Sequence, residues 1–307
     1  SLMHAIDEIT NVDARQSDMK RDNANIDGNT AMGSMLQIGT AGAKAYNAAY
    51  LLTPEQSKAY AEGDIHIHDF DFYALTTTCC QIDLLRLFKG GFSTGHGYLR
   101  EPQSIGSYAA LAAIAIQSNQ NDQHGGQGVP NFDYAMAQGV AKSFARLYRR
   151  KLRDALEDVL AQQAAEAGEE ATGHPARLEV EAERFDAAAV DALVKTGRLD
   201  EKTAASIVRR ARRRAAESTD RDTFQAMEGF VHNLNTMHSR AGAQTPFSSI
   251  NYGTDTSPEG RMVIRNILLA EDAGLGHGET PIFPIHIFKV KEGVNYNPGD
   301  PNYDLFQ

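Results

Sequence analysis

Cysteine is nearly absent from this sequence: of 307 residues only two are cysteines, and they are neighbours, Cys79 and Cys80. Adjacent residues on an extended strand point to opposite faces, so a disulfide between them is strained. With no second pair, the chain holds neither a disulfide scaffold nor a four-cysteine zinc site of its own. Reduced thiols remain, and those can do chemistry. Long apolar runs are missing too, none reaching the ~18 residues of a membrane-spanning helix. The opening Ser1-Leu2-Met3-His4 lacks the basic end and apolar stretch of a signal peptide. Without Met at position 1 it reads as an internal start or an appended scar. A cytoplasmic protein with no membrane partner is expected. Positive charge is also short: 30 Lys and Arg stand against 40 Asp and Glu, a formal net charge of −10. A broad acidic surface repels nucleic-acid phosphates, so no nucleic-acid partner is expected. The one basic run, residues 209–214, lies in an Ala-rich stretch of helical character and reads as a solvated helix face.

What is present fits a globular protein, with 42% apolar and 23% charged residues and enough length for one large domain or two ordinary ones. Residues 1 to about 150 are rich in Gly, Asn, Gln, Thr and His between short apolar runs, as in loops that carry function on a buried scaffold. Residues 151–220 turn to Ala, Glu, Arg and Leu, with a polar break at 168–175. There Val190, Leu193 and Val194, and then Ile207, Val208 and Ala211, recur at helical spacing. This zone reads as a surface helical insertion. Beyond it the pattern predicts a helix at 224–238, a strand at 247–252, a helix at 259–273 and a strand at 282–290. A further strand is expected at 76–85 and a nearly all-apolar helix at 105–117. Strands separated by helices point to a parallel α/β architecture. A turn-rich loop at 293–301 precedes a helix that opens at Tyr303, so the chain reads as truncated.

Three constellations carry chemistry. In His66-Ile67-His68-Asp69-Phe70-Asp71-Phe72-Tyr73, a strand would put His66 and His68 on one face. That pattern begins many divalent-metal hydrolase sites, and equally suits histidines hydrogen-bonded beside a polar pocket. In the Cys-Cys strand, alternation puts Thr77, Cys79, Gln81 and Asp83 on one face and Thr78, Cys80, Ile82 and Leu84 on the other. The first face is polar and suits a substrate pocket, making Cys79 the reactive thiol and Cys80 a structural one. An apolar barrel interior would reverse the assignment, and both remain open. Third, two glycine-rich stretches, 90–97 and 118–128, match neither a P-loop nor a dinucleotide fingerprint. The Asn and Gln of the second offer donors and acceptors suited to a base edge.

Taken together, these segments resemble a known family. Asn23-Ala24-Asn25-Ile26-Asp27-Gly28-Asn29-Thr30, the His66–Tyr73 segment and the Cys-Cys strand occur in order with Gly91-Phe92-Ser93-Thr94-Gly95-His96-Gly97-Tyr98-Leu99-Arg100-Glu101-Pro102. The 107–127 segment, Thr245-Pro246-Phe247-Ser248-Ser249-Ile250-Asn251-Tyr252 and Thr280-Pro281-Ile282-Phe283-Pro284 follow. The chain is similar, outside 151–220, to the N-terminal part of the anaerobic, glycyl-radical ribonucleoside-triphosphate reductases.

The resemblance implies part of a ten-stranded α/β barrel in a homodimer that reduces ribonucleoside triphosphates to deoxyribonucleoside triphosphates. A glycyl radical, installed by an S-adenosylmethionine-dependent activase carrying a 4Fe-4S cluster, oxidises a finger-loop cysteine. The resulting thiyl takes the 3′ hydrogen of the ribose, and a cysteine on the first barrel strand delivers hydrogen as the 2′ hydroxyl leaves as water. The Cys79/Cys80 strand matches that second cysteine, with His66, His68 and Tyr73 near the site. Thr78, Ser248, Ser249 and Asn251 are assigned to the substrate. Ser107, Gln117, Asn119, Gln120, Asn121, Gln123 and His124 are assigned to a dNTP or ATP effector that sets substrate choice. The finger loop, the glycyl-radical segment and the four-cysteine zinc site are expected beyond the chain's end, so the chain itself is expected to carry no cofactor or metal and not to turn over alone. The electron donor, formate or a thiol protein, is left open. The alternatives are a metal-dependent hydrolase using His66 and His68, a non-catalytic nucleotide-binding dimerisation module, and a formate-lyase-like relative that the reductase motifs disfavour.

Overall fold

Four short strands line up in parallel in the order β1-β4-β5-β6: β1 (Cys80–Gln81), β4 (Gln127–Val129), β5 (Ser248–Tyr252) and β6 (Ile285–Phe288). Parallel neighbours need long crossovers, and helices supply each one. The computed structural model describes residues 2–11, 30–75, 77–167, 186–195, 199–239 and 244–307. The motif at 23–29, the polar break at 168–175 and Thr76 lie outside the described residues.

The first crossover holds α4 (Leu84–Phe88), the antiparallel pair β2 (Phe92–Ser93) and β3 (Tyr98–Leu99), and α5 (Ile105–Asp122). A reciprocal cap between Ser104 and Ser107 starts α5. The second crossover runs through α6 (Phe132–Ala167), α7 (Asp186–Val194) and α8 (Glu201–Thr236), and the third through α9 (Pro258–Ala273). Ser257 caps α9 and Pro258 fills its first position, where a missing N–H costs nothing. Ahead of the sheet lie α1 (Leu2–Asn11), α2 (Ala31–Tyr50) and α3 (Pro54–Glu62), and α10 (Tyr303–Phe306) follows it.

The architecture is α/β with a parallel sheet, and among the described residues that sheet is open, with four strands. Two apolar clusters result. The larger joins one sheet face to α5, α6, α8 and α9 through residues such as Ile116, Phe132, Phe230, Ile250, Tyr252 and Ile264. The smaller lies farther along α6 and α8, where Leu152, Leu156, Leu193, Ile207, Val208 and Ala211 meet around α7. No helix among the described residues is long and apolar enough to cross a membrane.

Several expectations change. The strand expected at 76–85 is extended only at Cys80–Gln81, because Cys79 turns into the left-handed region and Asp83 caps α4. The composition changes at 151 and 220 fall inside α6 and α8, since both helices run unbroken from the sheet core into the outer cluster. The helix expected at 224–238 is the last third of α8. The basic run sits on the exposed side of α8, with Ala211 turned inward. Two of its members pair locally, Arg212 with Asp186 and Arg213 with Glu217.

Candidate active site

The cysteine pair is gripped along its backbone by the loop that follows α5. Cys79 N–H donates to His124 O at 3.0 Å, Cys80 N–H to Gly126 O at 2.9 Å and Ile82 N–H to Gly128 O at 2.7 Å. Cys79 has φ +63°, and the other described non-glycine residue with positive φ is Asp69, at +50°. Such residues are strained and persist only where their surroundings hold them. Two glycines make room for this conformation. A methyl group on Gly125 would fall 2.8 Å from Cys79 N and 3.1 Å from its Sγ, and one on Gly126 would fall 4.0 Å from Sγ.

The two thiols have different surroundings. Cys80 packs against the large core beside the buried Ile82 and Leu84. Gln81 is exposed, and its amide lies over Gly128. Gly128 pairs with Ser249, and Ser249 and Asn251 pair with Ile285 and Ile287. Partners in a parallel ladder share a face. Gln81, Ser249, Asn251, Ile285 and Ile287 therefore lie on the sheet face opposite the large core, and the exposed Cys79 has its thiol over Gly126 on that side. Ser248 does not join them, although the sequence grouped it with Ser249. It faces the core, 1% exposed, and its Oγ has no hydrogen-bond partner among the described residues. Thr78 is half-buried.

His66 and His68 are not on a strand. The segment forms turns and a 3-10 turn at Phe70–Phe72, so the shared strand face does not exist. Helix α2 holds this turn: Asn47 Nδ2 donates to Phe70 O at 2.6 Å, and Thr40 Oγ1 to Asp71 Oδ2 at 2.9 Å. His66 is exposed, as is Tyr73 at 55%, while His68 reaches Asp69 Oδ2 at 3.3 Å. No role was expected for Asp69, yet its other oxygen lies 3.3 Å from His124 Nε2. The His124 ring stacks on Phe72 at 3.8 Å. An acid next to an H-x-H pair was the available signal for Asp69. His124, assigned to an effector, also holds the Cys79 N–H through its carbonyl.

The other residues assigned to the effector have inward partners. Gln117 donates to Asn233 Oδ1, Asn119 to Gln127 Oε1, and Gln120 to Gly125 O at 2.9 Å. Asn121 returns to Gln117 O at 3.0 Å. Gln123 reaches Thr77 Oγ1 at 2.9 Å and Cys79 O at 3.4 Å. Ser107 belongs to the α5 cap. These amides knit the loop to the cysteine segment and to α8.

Two further polar centres lie elsewhere in the fold. Asp133, fully buried, accepts N–H bonds from Gly253, Thr254 and Asp255 at 2.9–3.0 Å and so ties the start of α6 to the end of β5. Asn302 donates to Gly253 O at 3.1 Å and Asp255 O at 2.9 Å. Under α9, Tyr252 Oη meets His286 Nδ1 at 2.8 Å, and His286 Nε2 lies 3.4 Å from Glu271 Oε2. Burial lowers the His286 pKa to about 4, raises the Glu271 carboxyl and, with Glu271 nearby, raises the Tyr252 phenol. This trio lies on the core side of the sheet, away from Cys79.

Among the described residues, no three His, Cys, Asp or Glu side chains gather as metal ligands would. The profile of the family "Anaerobic ribonucleoside-triphosphate reductase" matches residues 22–307. The anaerobic ribonucleoside-triphosphate reductase of Enterobacteria phage T4 is 30% identical over 81% of the chain and 33% of its own length. That of Escherichia coli is 26% identical over 86% of the chain and 30% of its own length. The chain thus spans about a third of the curated relatives it matches. A crystal structure of the Thermotoga maritima anaerobic ribonucleotide reductase with dATP and CTP has a TM-score of 0.47 at 13% identity, over 88% of this chain and 38% of that one.

Proposed function

The chain belongs to the anaerobic ribonucleoside-triphosphate reductase family, and we propose that it supplies, from the residue just ahead of its first strand, the thiol with which such an enzyme reduces a ribonucleoside triphosphate. Cys79 is the hydrogen donor on the uncovered face of the sheet, and Cys80 is structural. The observation that carries this assignment is their opposite placement, Cys79 exposed over a floor of glycine and Cys80 against the core. An S–H bond is weak enough to pass a hydrogen atom, and an enclosed site keeps water from the intermediates.

Ser249 and Asn251 extend the same face toward a ribose or its phosphates, with Thr78 at the edge, and His66, His68 and Tyr73 rim the cavity. The four strands are part of a ten-stranded barrel, into which the apolar Ile285 and Ile287 also face. Residues 151–220 form an insertion on that barrel. The loop 119–128 reports an effector nucleotide, dNTP or ATP, to the thiol through its amide network. The working enzyme is a cytoplasmic homodimer served by a radical-generating activase. The glycyl radical and the zinc site belong to parts of the enzyme outside this chain, whose two cysteines cannot build the latter.

The test is made in the full-length, activated enzyme. Cys79→Ser is expected to abolish deoxyribonucleotide formation while nucleotide binding by calorimetry persists, and Cys80→Ser to retain turnover. Turnover by Cys79→Ser would refute the assignment.

A further inference from the structure

The described chain's two left-handed non-glycine residues, Asp69 and Cys79, are joined through one residue, His124. Its ring contacts the Asp69 carboxylate at 3.3 Å and lies flat on Phe72, while its carbonyl accepts the Cys79 N–H at 3.0 Å. Both side chains of the link are largely enclosed, with Asp69 16% and His124 18% exposed. The link from this pair to Cys79 is the backbone hydrogen bond at His124 O. Their effect on the thiol passes through the backbone.

We infer that Asp69 and His124 form a clasp that positions Cys79, holding its backbone at positive φ so that Sγ projects over Gly125 and Gly126 onto the open sheet face. Without the clasp, Cys79 relaxes to negative φ, where ordinary residues are more stable, and the thiol withdraws from that face. Gln123 assists from the other side by bonding Thr77 Oγ1 and Cys79 O. The loop between α5 and β4 therefore sets where the thiol points. This deepens the proposed function by naming the residues that aim its hydrogen donor, and it rests on that reading only for its consequence.

Single-thiol forms of the 307-residue chain test the clasp by alkylation with iodoacetamide. In Cys80→Ser, Cys79 is expected to react about tenfold faster than Cys80 does in Cys79→Ser, because accessible thiols outpace packed ones. Adding His124→Ala to each should slow Cys79 about fivefold, the scale of population shift set by releasing one strained residue, and leave Cys80 unchanged. His124→Gln, whose amide still reaches Asp69, should restore the Cys79 rate to within about twofold. A general loosening would instead speed both thiols together, and that result overturns the inference. So does an unchanged Cys79 rate in His124→Ala. Should His124→Ala fail to fold by circular dichroism, the near-isosteric Asp69→Asn decides: a slower Cys79 supports the clasp, and an unchanged rate overturns it. No nucleotide enters the assay, so failure of the reductase reading would leave its outcome standing.

Discussion

The sheet core and the outer helical cluster are built on different principles. In the outer cluster α6, α7 and α8 meet through Leu and Ala, with Ala204, Ala211 and Ala215 letting the backbones approach. Among the described residues, polar ties at its edge converge on one carboxylate. Asp186 at the head of α7 takes Tyr148 Oη at 3.1 Å and Arg212 Nη1 at 2.8 Å. The sheet core packs aromatic and β-branched residues from distant parts of the chain, and its polar groups are buried and tied to backbone, as at Asp133. One region needs only helix periodicity to form. The other needs long-range pairing and carries the reactive loop.

The sharpest way to break this comparison is a cavity on each side. Phe230→Ala, in the sheet core at 2% exposure, should cost about 3–5 kcal/mol and lower the denaturation midpoint of the whole chain. Leu193→Ala, at 1% exposure in the outer cluster, should cost about 2–4 kcal/mol. Its loss of protection should be confined to α7 and the adjoining turns of α6 and α8 by hydrogen exchange, with the Cys79 alkylation rate unchanged. Equal global effects from both would mean that the two clusters unfold as one unit.

A pH titration separates the regions more gently. His286 has its pKa depressed to about 4 in the fold. Between that value and its ordinary 6.5 the unfolded chain binds the proton and the folded chain does not, so His286 makes stability fall as pH drops through this window. The raised Glu271 carboxyl acts oppositely, since its contribution is present at low pH and lost as pH rises through its folded value. The net loss from pH 7 to 4.5 should be roughly 1–3 kcal/mol and should shrink in His286→Gln. Chemical denaturation at each pH checks it. Smallest of all, Arg212→Ala removes a half-exposed pair with Asp186 and should cost less than about 1 kcal/mol, measurable as a small midpoint shift.

The sequence made the locally determined parts legible. Helices α5 and α9 and strand β5 lie within a few residues of expectation, because apolar periodicity and Ser or Pro caps are local signals. The spacing of Leu193, Ile207, Val208 and Ala211 likewise marked side chains that are buried. What depended on distant partners was hidden. Strand β1 was overdrawn because the left-handed turn at Cys79 is held by a loop more than forty residues away. The H-x-H strand was mistaken because α2 folds that segment into a turn. Ser248 and Ser249 were grouped together because spacing does not show that β5 is covered on one side only, which turns Ser248 to the core and Ser249 away from it. The partners of the amides at 117–123, Asn233, Gln127 and Thr77, likewise cannot be seen from spacing.

The unbroken run of α6 and α8 has a mechanical consequence. At 1.5 Å of rise per residue, a helix of 36 residues is about 54 Å long. One end of this pair is seated beside the sheet, and the other carries α7. A tilt of about 5° at the seated end would swing the far tip by roughly 5 Å, from the same rise per residue. A spectroscopic label near Leu193 would therefore magnify a small tilt at the seated end into a displacement large enough to measure.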